Sequence, residues 1–290
     1  MKKLNYNPLL KWIQWRIGKN KNAIIIINGN TGSGKSYAGI SLAQQVAEEL
    51  GTNFSIANNV SFNFIDLLKK AKLSGNEKPG TCFLMEEVGS VGSGSSSKEW
   101  MSKANAFFNS FMQTSRHRNQ ILIMTCPSFS NLDASSRRLV HCQISMIGID
   151  FNKNVSRMKP YVLQVNDRTG KIYFKYLRFK IGDGKGKLKV MSLPKPDQRT
   201  LNNYEKIKLD FTSKLNQRMI DESESQQKKR DAKVDNKLDT KVDKRKVFEL
   251  IDECYTNENI AKIVGVSVRT VSRYRNKDRT KQHDTRGPST

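Results

Sequence analysis

The sequence predicts an α/β fold with a parallel central sheet, followed by a small all-α domain. Up to about residue 150, short apolar runs typical of strands alternate with amphipathic helical patterns, and the first run ends in a glycine-rich loop. After a long charged stretch, apolar residues return at helical spacing from Val247 onward. The chain of 290 residues is long enough for both domains, since one domain takes roughly 100 to 200 residues.

The first predicted elements are an amphipathic helix at 8–17 and a strand at 23–27. The strand is a continuous, mostly β-branched run, which is typical of a strand buried on both faces of a parallel sheet. Further strands are predicted at 54–57, 81–85, 121–125 and 142–149, and further helices at 35–50, 62–73 and 99–115.

A β-hairpin at about 161–179 is predicted to close the first domain, because its two runs flank a turn that contains Gly170. We therefore expect a core at 1–196, a charged segment at 197–245 and a second domain at 246–290. The charged segment fits either a solvated helix or a flexible linker.

The formal net charge of +24 predicts a polyanionic partner, most simply nucleic acid. The alternative is that the lysines only keep the chain in solution. No apolar run approaches the roughly 20 residues that span a bilayer, and the N-terminus does not resemble a secretory signal. We expect no membrane segment and a cytoplasmic protein, in the host cytoplasm if it is viral. The four cysteines lack metal-ligand spacing.

A phosphate-binding loop is predicted between the strand at 23–27 and the helix at 35–50, which is the context that this motif requires. Its backbone N–H groups would surround a phosphate, Lys35 would neutralise the β- and γ-phosphate oxygens, and the Ser36 hydroxyl would bind Mg²⁺. The alternative is an ordinary glycine-rich turn. The motif consists of Gly29, Asn30, Thr31, Gly32, Ser33, Gly34, Lys35 and Ser36.

Two acids, Glu86 and Glu87, follow the apolar run at 82–85. At the end of a strand beside the phosphate loop, Glu86 would hold Mg²⁺ and Glu87 would act as the general base for the attacking water. Asp is more usual than Glu at the first position. A solvated helix cap is the alternative interpretation of the pair.

Thr125 ends the strand at 121–125, where a sensor of the γ-phosphate would lie. Arg116 precedes that strand and is the first candidate for an arginine finger that reaches the γ-phosphate of a neighbouring subunit. Arg118 and Arg137 are the next candidates. A phosphate contact to nucleic acid or a surface ion pair is the alternative for each arginine.

With these motifs in this order, residues 20–150 resemble the FtsK/HerA superfamily of DNA-pumping ATPases, especially its zonula-occludens-toxin-like and viral packaging members. Those proteins share the loop at 29–36, the acidic pair, and an Arg-His or Arg-Lys element, here Arg116-His117, before the sensor strand. They commonly have Gln after the sensor Thr, where this chain has Cys126. The resemblance implies a RecA-like P-loop NTPase fold, a homo-hexameric ring, and ATP hydrolysis coupled to DNA movement.

The second domain has the apolar spacing of a helix-turn-helix, with Gly265 at the turn and Ser267 as the cap of the last helix. It resembles the DNA-binding domains of resolvases and transcription regulators. Val268, Val271 and Tyr274 are expected to face inward, and a protein-docking module is the alternative. The expected contacts to double-stranded DNA are Arg269, Thr270, Ser272, Arg273 and Arg275.

Together these features predict an ATP-driven DNA translocase of a virus or mobile element, with ATP and Mg²⁺ as cofactors. One alternative is an AAA+ type loader or transposition regulator that assembles on DNA without pumping it. Another is a DNA-binding regulator that is switched by ATP without hydrolysis.

Overall fold

The computed structural model describes residues 7–73, 78–86, 115–181, 184–239 and 244–284. The chain divides into two compact units, Met1–Ser213 and Lys214–Thr290. The predicted general base Glu87 and nearly all of the predicted helix at 99–115 lie outside the described residues.

The parallel half of the first unit's sheet is built around the strand β1 (Ala23–Asn28). Strand β1 pairs with β4 (Ile121–Cys126) on one side and β5 (Cys142–Asp150) on the other, and β3 (Cys82–Met85) and β2 (Val60–Ser61) extend the β4 side. All these pairs are parallel, so the order of this half is β2-β3-β4-β1-β5. The predicted α/β fold with a parallel central sheet is confirmed.

An antiparallel half continues the same sheet beyond β5. It contains β6 (Val155–Val165), β7 (Ile172–Ile181), β8 (Gly184–Leu188) and β9 (Met191–Pro194). Strand β6 pairs with β5, β7 and β9, and β7 pairs with β8. The hairpin expected at about 161–179 corresponds to β6 and β7.

Helices cover both faces of the parallel half of the sheet, where alternate residues of β1 point to opposite sides. Ile25 and Ile27 pack in a core cluster with α1 (Pro8–Gly18) and α2 (Lys35–Leu50). The other core cluster joins the other face of β1 to α4 (Phe64–Ala71). Strand β1 is therefore buried on both faces, as its unbroken apolar run predicts.

The prediction of a strand at 54–57 is wrong. The helix α3 (Ile56–Asn59) occupies the second half of this range, and the strand β2 follows it. The Ser55 side chain accepts a hydrogen bond from the Asn58 backbone N–H, and the Asn59 side chain accepts one from the Ser55 N–H. These local bonds stabilise a helical turn where the apolar pattern alone indicates a strand.

The charged segment forms the helix α6 (Gln198–Asp239). The first unit ends at Ser213 rather than at the expected residue 196 because the beginning of α6 packs on the core, where Leu201 and Tyr204 are buried. Although α6 has 42 residues, no helix in the described ranges is long and apolar enough to cross a membrane.

The first unit also contains the helix α5 (Ala134–Leu139). The second unit contains α7 (Lys244–Asp252), α8 (Asn257–Val264) and α9 (Val268–Asp284). Gly265 ends α8 in the left-handed region at φ 70°, and the Ser267 hydroxyl accepts a hydrogen bond from the Thr270 N–H at the start of α9. The small core of this unit consists of Val247, Ile260, Ala261, Val271 and Tyr274.

Candidate nucleotide-binding site

The predicted phosphate loop connects the end of β1 to the first residue of α2. Gly32 and Gly34 have φ values of 79° and 86°, which favour glycine because a side chain is strained there. A Cβ atom at Gly29 would lie 2.8 Å from the Met146 Cβ atom. The loop therefore needs its glycines both for its turn and for its close approach to β5.

The Lys35 ammonium lies over the loop that precedes it. Its Nζ atom donates to the backbone carbonyl oxygens of Gly29 and Asn30, each at 2.9 Å. These two bonds place a positive charge at the N-terminus of α2, where the helix dipole also favours an anion. The arrangement is suited to binding a phosphate group.

The predicted metal ligands Ser36 and Glu86 lie together although they are far apart in sequence. The Ser36 hydroxyl donates to Glu86 Oε2 at 2.6 Å. Glu86 is buried, directly follows β3, and donates its backbone N–H to the Ser61 carbonyl in the neighbouring strand β2. The parallel sheet thus brings the acid at the end of β3 to the first turn of α2.

A third side chain, Tyr204 of α6, reaches the same carboxylate. Its hydroxyl donates to Glu86 Oε2 at 3.2 Å. Burial and the nearby Glu86 charge raise the pKa of Tyr204, so the phenol keeps the proton that it donates. Tyr204 is itself fixed by packing against the Phe62 ring at 6.0 Å.

A cavity of about 430 Å³ opens between the loop, the strand ends and the start of α6. Several predicted site residues line it, whereas Gly29, Asn30 and Ser33 do not. The predicted residues in its wall are Thr31, Gly32, Gly34, Lys35, Ser36, Glu86 and Thr125. Sequence reasoning missed Tyr37, Pro127, Ile149, Tyr204, Glu205 and Lys208.

The residues that α6 contributes were missed because they fall in the charged segment that was assigned to a linker. Tyr204, Ile207 and Phe211 do pack with the core cluster, at helical spacing along α6. That spacing was the available signal. Glu205 lies in the same turn and accepts a hydrogen bond from the Tyr37 hydroxyl at 3.1 Å.

Thr125 lies in the cavity wall at the end of β4, beside Ile27 of β1. The next residue, Cys126, belongs to the core cluster on the opposite face of the sheet and donates its thiol to the Ser128 carbonyl oxygen. Burial raises the pKa of Cys126 to about 12. The presence of Cys126 where related proteins commonly have Gln therefore affects a buried position and not the cavity wall. The sensor role of Thr125 stays a prediction.

The candidate arginine fingers have different surroundings. Arg116 lies in the 3₁₀ helix Ser115–Arg118, and its side chain is outside the described part of the chain. Arg118 donates to the Ala71 carbonyl oxygen at 3.0 Å, which ties it to the end of α4. The finger role of each arginine stays a prediction.

The oxygen atoms around Ser36 and Glu86 fit Mg²⁺, which prefers hard oxygen ligands. In the ranges that the structure describes, no group of three or more His, Cys, Asp or Glu side chains forms a metal cluster. A hydroxyl and a single carboxylate instead suit an ion that takes its other ligands from nucleotide phosphates and water.

In the second unit, the surface residues of α9 differ from those expected. Thr270 is buried, and its hydroxyl hydrogen-bonds the Ser267 hydroxyl at 3.0 Å, so it is not available to DNA. Val268 was expected to face inward but is 45% exposed, because α9 begins at this residue, ahead of the buried Val271.

The remaining predicted DNA contacts lie at or near the surface of α9. Arg269 and Arg273 are exposed. Ser272 is partly buried and accepts a hydrogen bond from the Asn257 amide at 3.1 Å, and Arg275 donates to the Tyr255 carbonyl oxygen. Both of these side chains hold α9 against the preceding helical segment.

Comparisons with known proteins found similarity over part of this chain. Residues 25–147 match the ATPase family associated with various cellular activities (AAA). The curated proteins give no match. Among solved structures, the N-terminal domain of zonular occludens toxin from Neisseria meningitidis has 16% identity and a TM-score of 0.31, and the match covers 54% of this chain and 95% of that chain.

The DNA-packaging ATPase B204 from Sulfolobus Turreted Icosahedral Virus has 11% identity and a TM-score of 0.32, over 54% of this chain and 98% of that chain. The genome packaging NTPase B204 from Sulfolobus turreted icosahedral virus 2, in complex with AMP, has 13% identity and a TM-score of 0.30, over 46% of this chain and 78% of that chain. Residues 25–147 are thus similar to the AAA family of ATPases, and the solved structures that resemble the chain include a zonular occludens toxin domain and a viral DNA-packaging ATPase, as the sequence motifs predicted.

Proposed function

We propose that this chain is an ATP-driven DNA translocase in which the first unit hydrolyses ATP and the second unit binds duplex DNA. The observation that carries the ATPase part is the 2.6 Å bond between Ser36 and Glu86 beside the phosphate loop. This bond joins the two side chains that would hold the Mg²⁺ of a bound nucleotide, and both line a cavity of about 430 Å³.

In the proposed reaction, Lys35 moves from the Gly29 and Asn30 carbonyl oxygens to the β- and γ-phosphate oxygens of ATP. When bound, Mg²⁺ supplies positive charge to the same phosphates, held by Ser36 and Glu86. Glu87 accepts a proton from the attacking water, whose oxygen forms a bond to the γ-phosphorus. The bond from the γ-phosphorus to the bridging oxygen breaks, and ADP and inorganic phosphate leave. Thr125 contacts the γ-phosphate from the end of β4.

Arg116 is proposed to complete this site from a neighbouring subunit of a homo-hexameric ring. Subunits carrying Arg116→Ala are mixed with subunits carrying Lys35→Ala, so that some junctions pair an intact loop with an intact finger. We expect partial recovery of ATP hydrolysis at those junctions. An absence of recovery at every ratio, in rings shown to mix, contradicts the proposal.

Two features support DNA as the substrate that is moved. The chain has 51 Lys and Arg residues against 27 Asp and Glu residues, so a polyanion is favoured as partner. The second unit also has three helices after α6, a glycine in the turn before the last of them and exposed arginines on that last helix, and these features support a helix-turn-helix. Arg269 and Arg273 are its proposed contacts to phosphates or base edges.

The decisive experiment measures ATP hydrolysis with and without duplex DNA, together with displacement of a triplex-forming strand from that duplex. DNA-stimulated hydrolysis with displacement supports the translocase. Nucleotide binding without hydrolysis would show a switch instead of a motor. A virus or mobile element, acting in the host cytoplasm, is the proposed setting.

The match of residues 25–147 to the AAA family favours a second candidate, an AAA+ type loader or transposition regulator. Such a protein would use ATP to assemble on DNA without moving along it. DNA-stimulated hydrolysis without strand displacement identifies this function.

A further inference from the structure

The antiparallel half of the sheet has an exposed face that combines aromatic rings with positive charge. Tyr161 of β6 lies opposite Tyr176 of β7, and Arg178 and Lys180 of β7 lie opposite Lys187 and Lys185 of β8. Since alternate residues of a strand share a face, these side chains and Phe174 lie on the same side. We call this surface the basic-aromatic face.

Charge is concentrated in this part of the chain. Residues 155–190 contain ten Lys and Arg residues and two Asp residues, and so carry eight of the 24 excess positive charges. The two ion pairs found in the described ranges join Lys11 to Glu49 and Lys70 to Asp66, and neither involves this face. Neither of those two ion pairs therefore neutralises the positive charge of this face.

The register makes the cationic side chains repel one another. Arg178 lies directly opposite Lys187, and Lys180 lies directly opposite Lys185. Like charges at directly opposite positions destabilise an antiparallel pair. An anion with regularly spaced charges, lying across β7 and β8, would relieve this repulsion.

Beside the cationic side chains lies a row of aromatic rings. The Tyr161 ring is 5.2 Å from the Tyr176 ring and 6.3 Å from the Phe174 ring, and Phe174 is 6.0 Å from Phe129. Phe174 is 49% exposed and Tyr176 is 39% exposed. Exposed rings next to a cationic surface are the combination that binds single-stranded nucleic acid, because unpaired bases stack on the rings while phosphates contact the basic groups.

We propose that the basic-aromatic face binds single-stranded DNA, with phosphates on Arg178, Lys180, Lys185 and Lys187 and bases on Phe174 and Tyr176. Duplex DNA fits this face less well because its bases already stack on one another and offer no free faces. The inference rests on the proposed function in taking DNA as partner. It adds a second contact, in the ATPase unit, to the duplex contacts proposed for α9.

The test uses the full-length protein and a labelled oligothymidylate, with binding followed by fluorescence anisotropy at several salt concentrations. Arg178→Glu combined with Lys180→Glu should reduce affinity by at least tenfold. Removal of two phosphate contacts should lower the slope of log affinity against log salt by about 1.4, since each contact to single strands contributes roughly 0.7.

The control pair is Lys171→Glu with Lys175→Glu. It makes the same change in charge, and Lys175 lies on β7 on the opposite face, where it donates to the Gln164 side chain. We expect the control pair to bind nearly as well as wild type. Equal losses in both pairs would show that only net charge matters and would overturn the proposal, as would unchanged binding by Arg178→Glu with Lys180→Glu.

A second matched pair tests the aromatic contacts. Tyr176→Ala should weaken oligothymidylate binding roughly tenfold, because stacking is worth about one power of ten or more per base. Tyr173→Ala removes a ring of similar exposure, 48%, from the opposite face of β7 and should have little effect. Equal effects of the two variants, or an equal loss of duplex binding in Tyr176→Ala, would overturn the assignment to single-stranded DNA.

Two further measurements separate the possible failures. ATP hydrolysis without DNA should be unchanged in Arg178→Glu with Lys180→Glu, which shows that the variant is folded; if it is not, Arg178→Gln with Lys180→Gln replaces it. If wild type binds oligothymidylate through this face but shows no DNA-stimulated hydrolysis, the translocase proposal fails and this inference stands.

Discussion

The two halves of the sheet share β5 as a border but differ in what their residues do. In the parallel half, the four isoleucines of β1 are at most 1% exposed, because helices cover both faces. In the antiparallel half, Tyr173 and Phe174 are adjacent in β7 and are both about half exposed. The parallel half is therefore buried and has its site residues at the edge of the sheet, whereas the antiparallel half also exposes large side chains to solvent.

This difference follows from strand direction. Parallel strands all end at the same edge of a sheet, so Asn28, Glu86 and Thr125 arrive together beside the phosphate loop. Antiparallel strands alternate in direction and give no such edge, but their pleated faces present rows of side chains. A nucleotide site is thus expected from the parallel half, and an extended ligand from the antiparallel half.

Replacement of Lys35 is the strongest way to separate the two halves. Lys35→Ala should reduce ATP hydrolysis at least 100-fold because the β- and γ-phosphates lose their main cationic side chain. Oligothymidylate binding without ATP should be unchanged. ATP hydrolysis is measured as phosphate release, and Lys19→Ala, at an exposed lysine, is the control variant. Near-normal hydrolysis by folded Lys35→Ala would remove the phosphate loop from the site.

The acidic pair tests which carboxylate performs the proton transfer. Glu87→Gln should bind ATP but hydrolyse it roughly 10² to 10⁴ times more slowly, since the amide keeps the shape and loses the base. Glu48→Gln, on the exposed side of α2, should behave as wild type. If Glu86→Gln alone binds ATP normally and hydrolyses it slowly, the two roles are reversed.

Tyr204→Phe tests whether α6 supports the metal site of the parallel half. It removes one hydrogen bond to the Glu86 carboxylate, an interaction worth about 1.5 to 3 kcal/mol for a charged group. The Mg²⁺ concentration for half-maximal hydrolysis should rise about tenfold, with a smaller change in maximal rate. Tyr37→Phe removes a bond to Glu205 instead and should leave the Mg²⁺ dependence unaltered. Equal shifts in both variants would contradict a specific role for Tyr204.

His141 hydrogen-bonds to strands of both halves, and its replacement is expected to have the smallest effect, a change in the pH dependence of stability. Its Nδ1 accepts the Ile24 N–H at 3.0 Å, and its carbonyl oxygen accepts the Leu163 N–H. Burial, with Arg16 and Lys21 nearby, lowers the pKa of His141 from 6.5 to about 3. The unfolded chain therefore binds more protons below pH 6.5, and the contribution of neutral His141 to stability is complete above that pH and is lost as pH falls toward 3.

Thermal unfolding should show this dependence as a loss of at most about 1.4 kcal/mol per pH unit below pH 6.5. His141→Gln should be less stable at pH 7.5 and less sensitive to acid than wild type. His117→Gln, at an exposed histidine, is the control. Parallel pH profiles for wild type and His141→Gln would show that other groups cause the acid sensitivity.

Local sequence patterns were sufficient to predict the structure wherever a residue's role depends on its immediate neighbours in sequence. The loop at 29–36 carries its own turn geometry and its own helix N-terminus, so the motif predicts both its structure and its ligand. The buried strand at 23–27 was equally clear. At 54–57, by contrast, apolar character indicated a strand, and the Ser55 and Asn59 side-chain bonds instead stabilise a helical turn.

Long-range contacts decided the rest of the site. Glu86 was predictable as an acid after an apolar strand, but its partner Tyr204 lies 118 residues away in a segment whose charge suggested a linker. Thr270 was expected at the surface because Val268, Val271 and Tyr274 were expected to face inward, yet its hydroxyl lies against the Ser267 hydroxyl. The charged composition hides the first contact, and the signal that remains for it is the helical spacing of Tyr204, Ile207 and Phe211.

By itself, the sequence determined the α/β class, the phosphate loop and the presence of a second helical unit, because each depends on spacing within a few turns of chain. Only the tertiary structure decided that the start of α6 lines the cavity beside the phosphate loop and that the aromatic and basic residues of β6–β8 share one exposed face. These facts depend on strand register and on how far a helix packs along the core. Both are set by the sum of many weak contacts between distant segments.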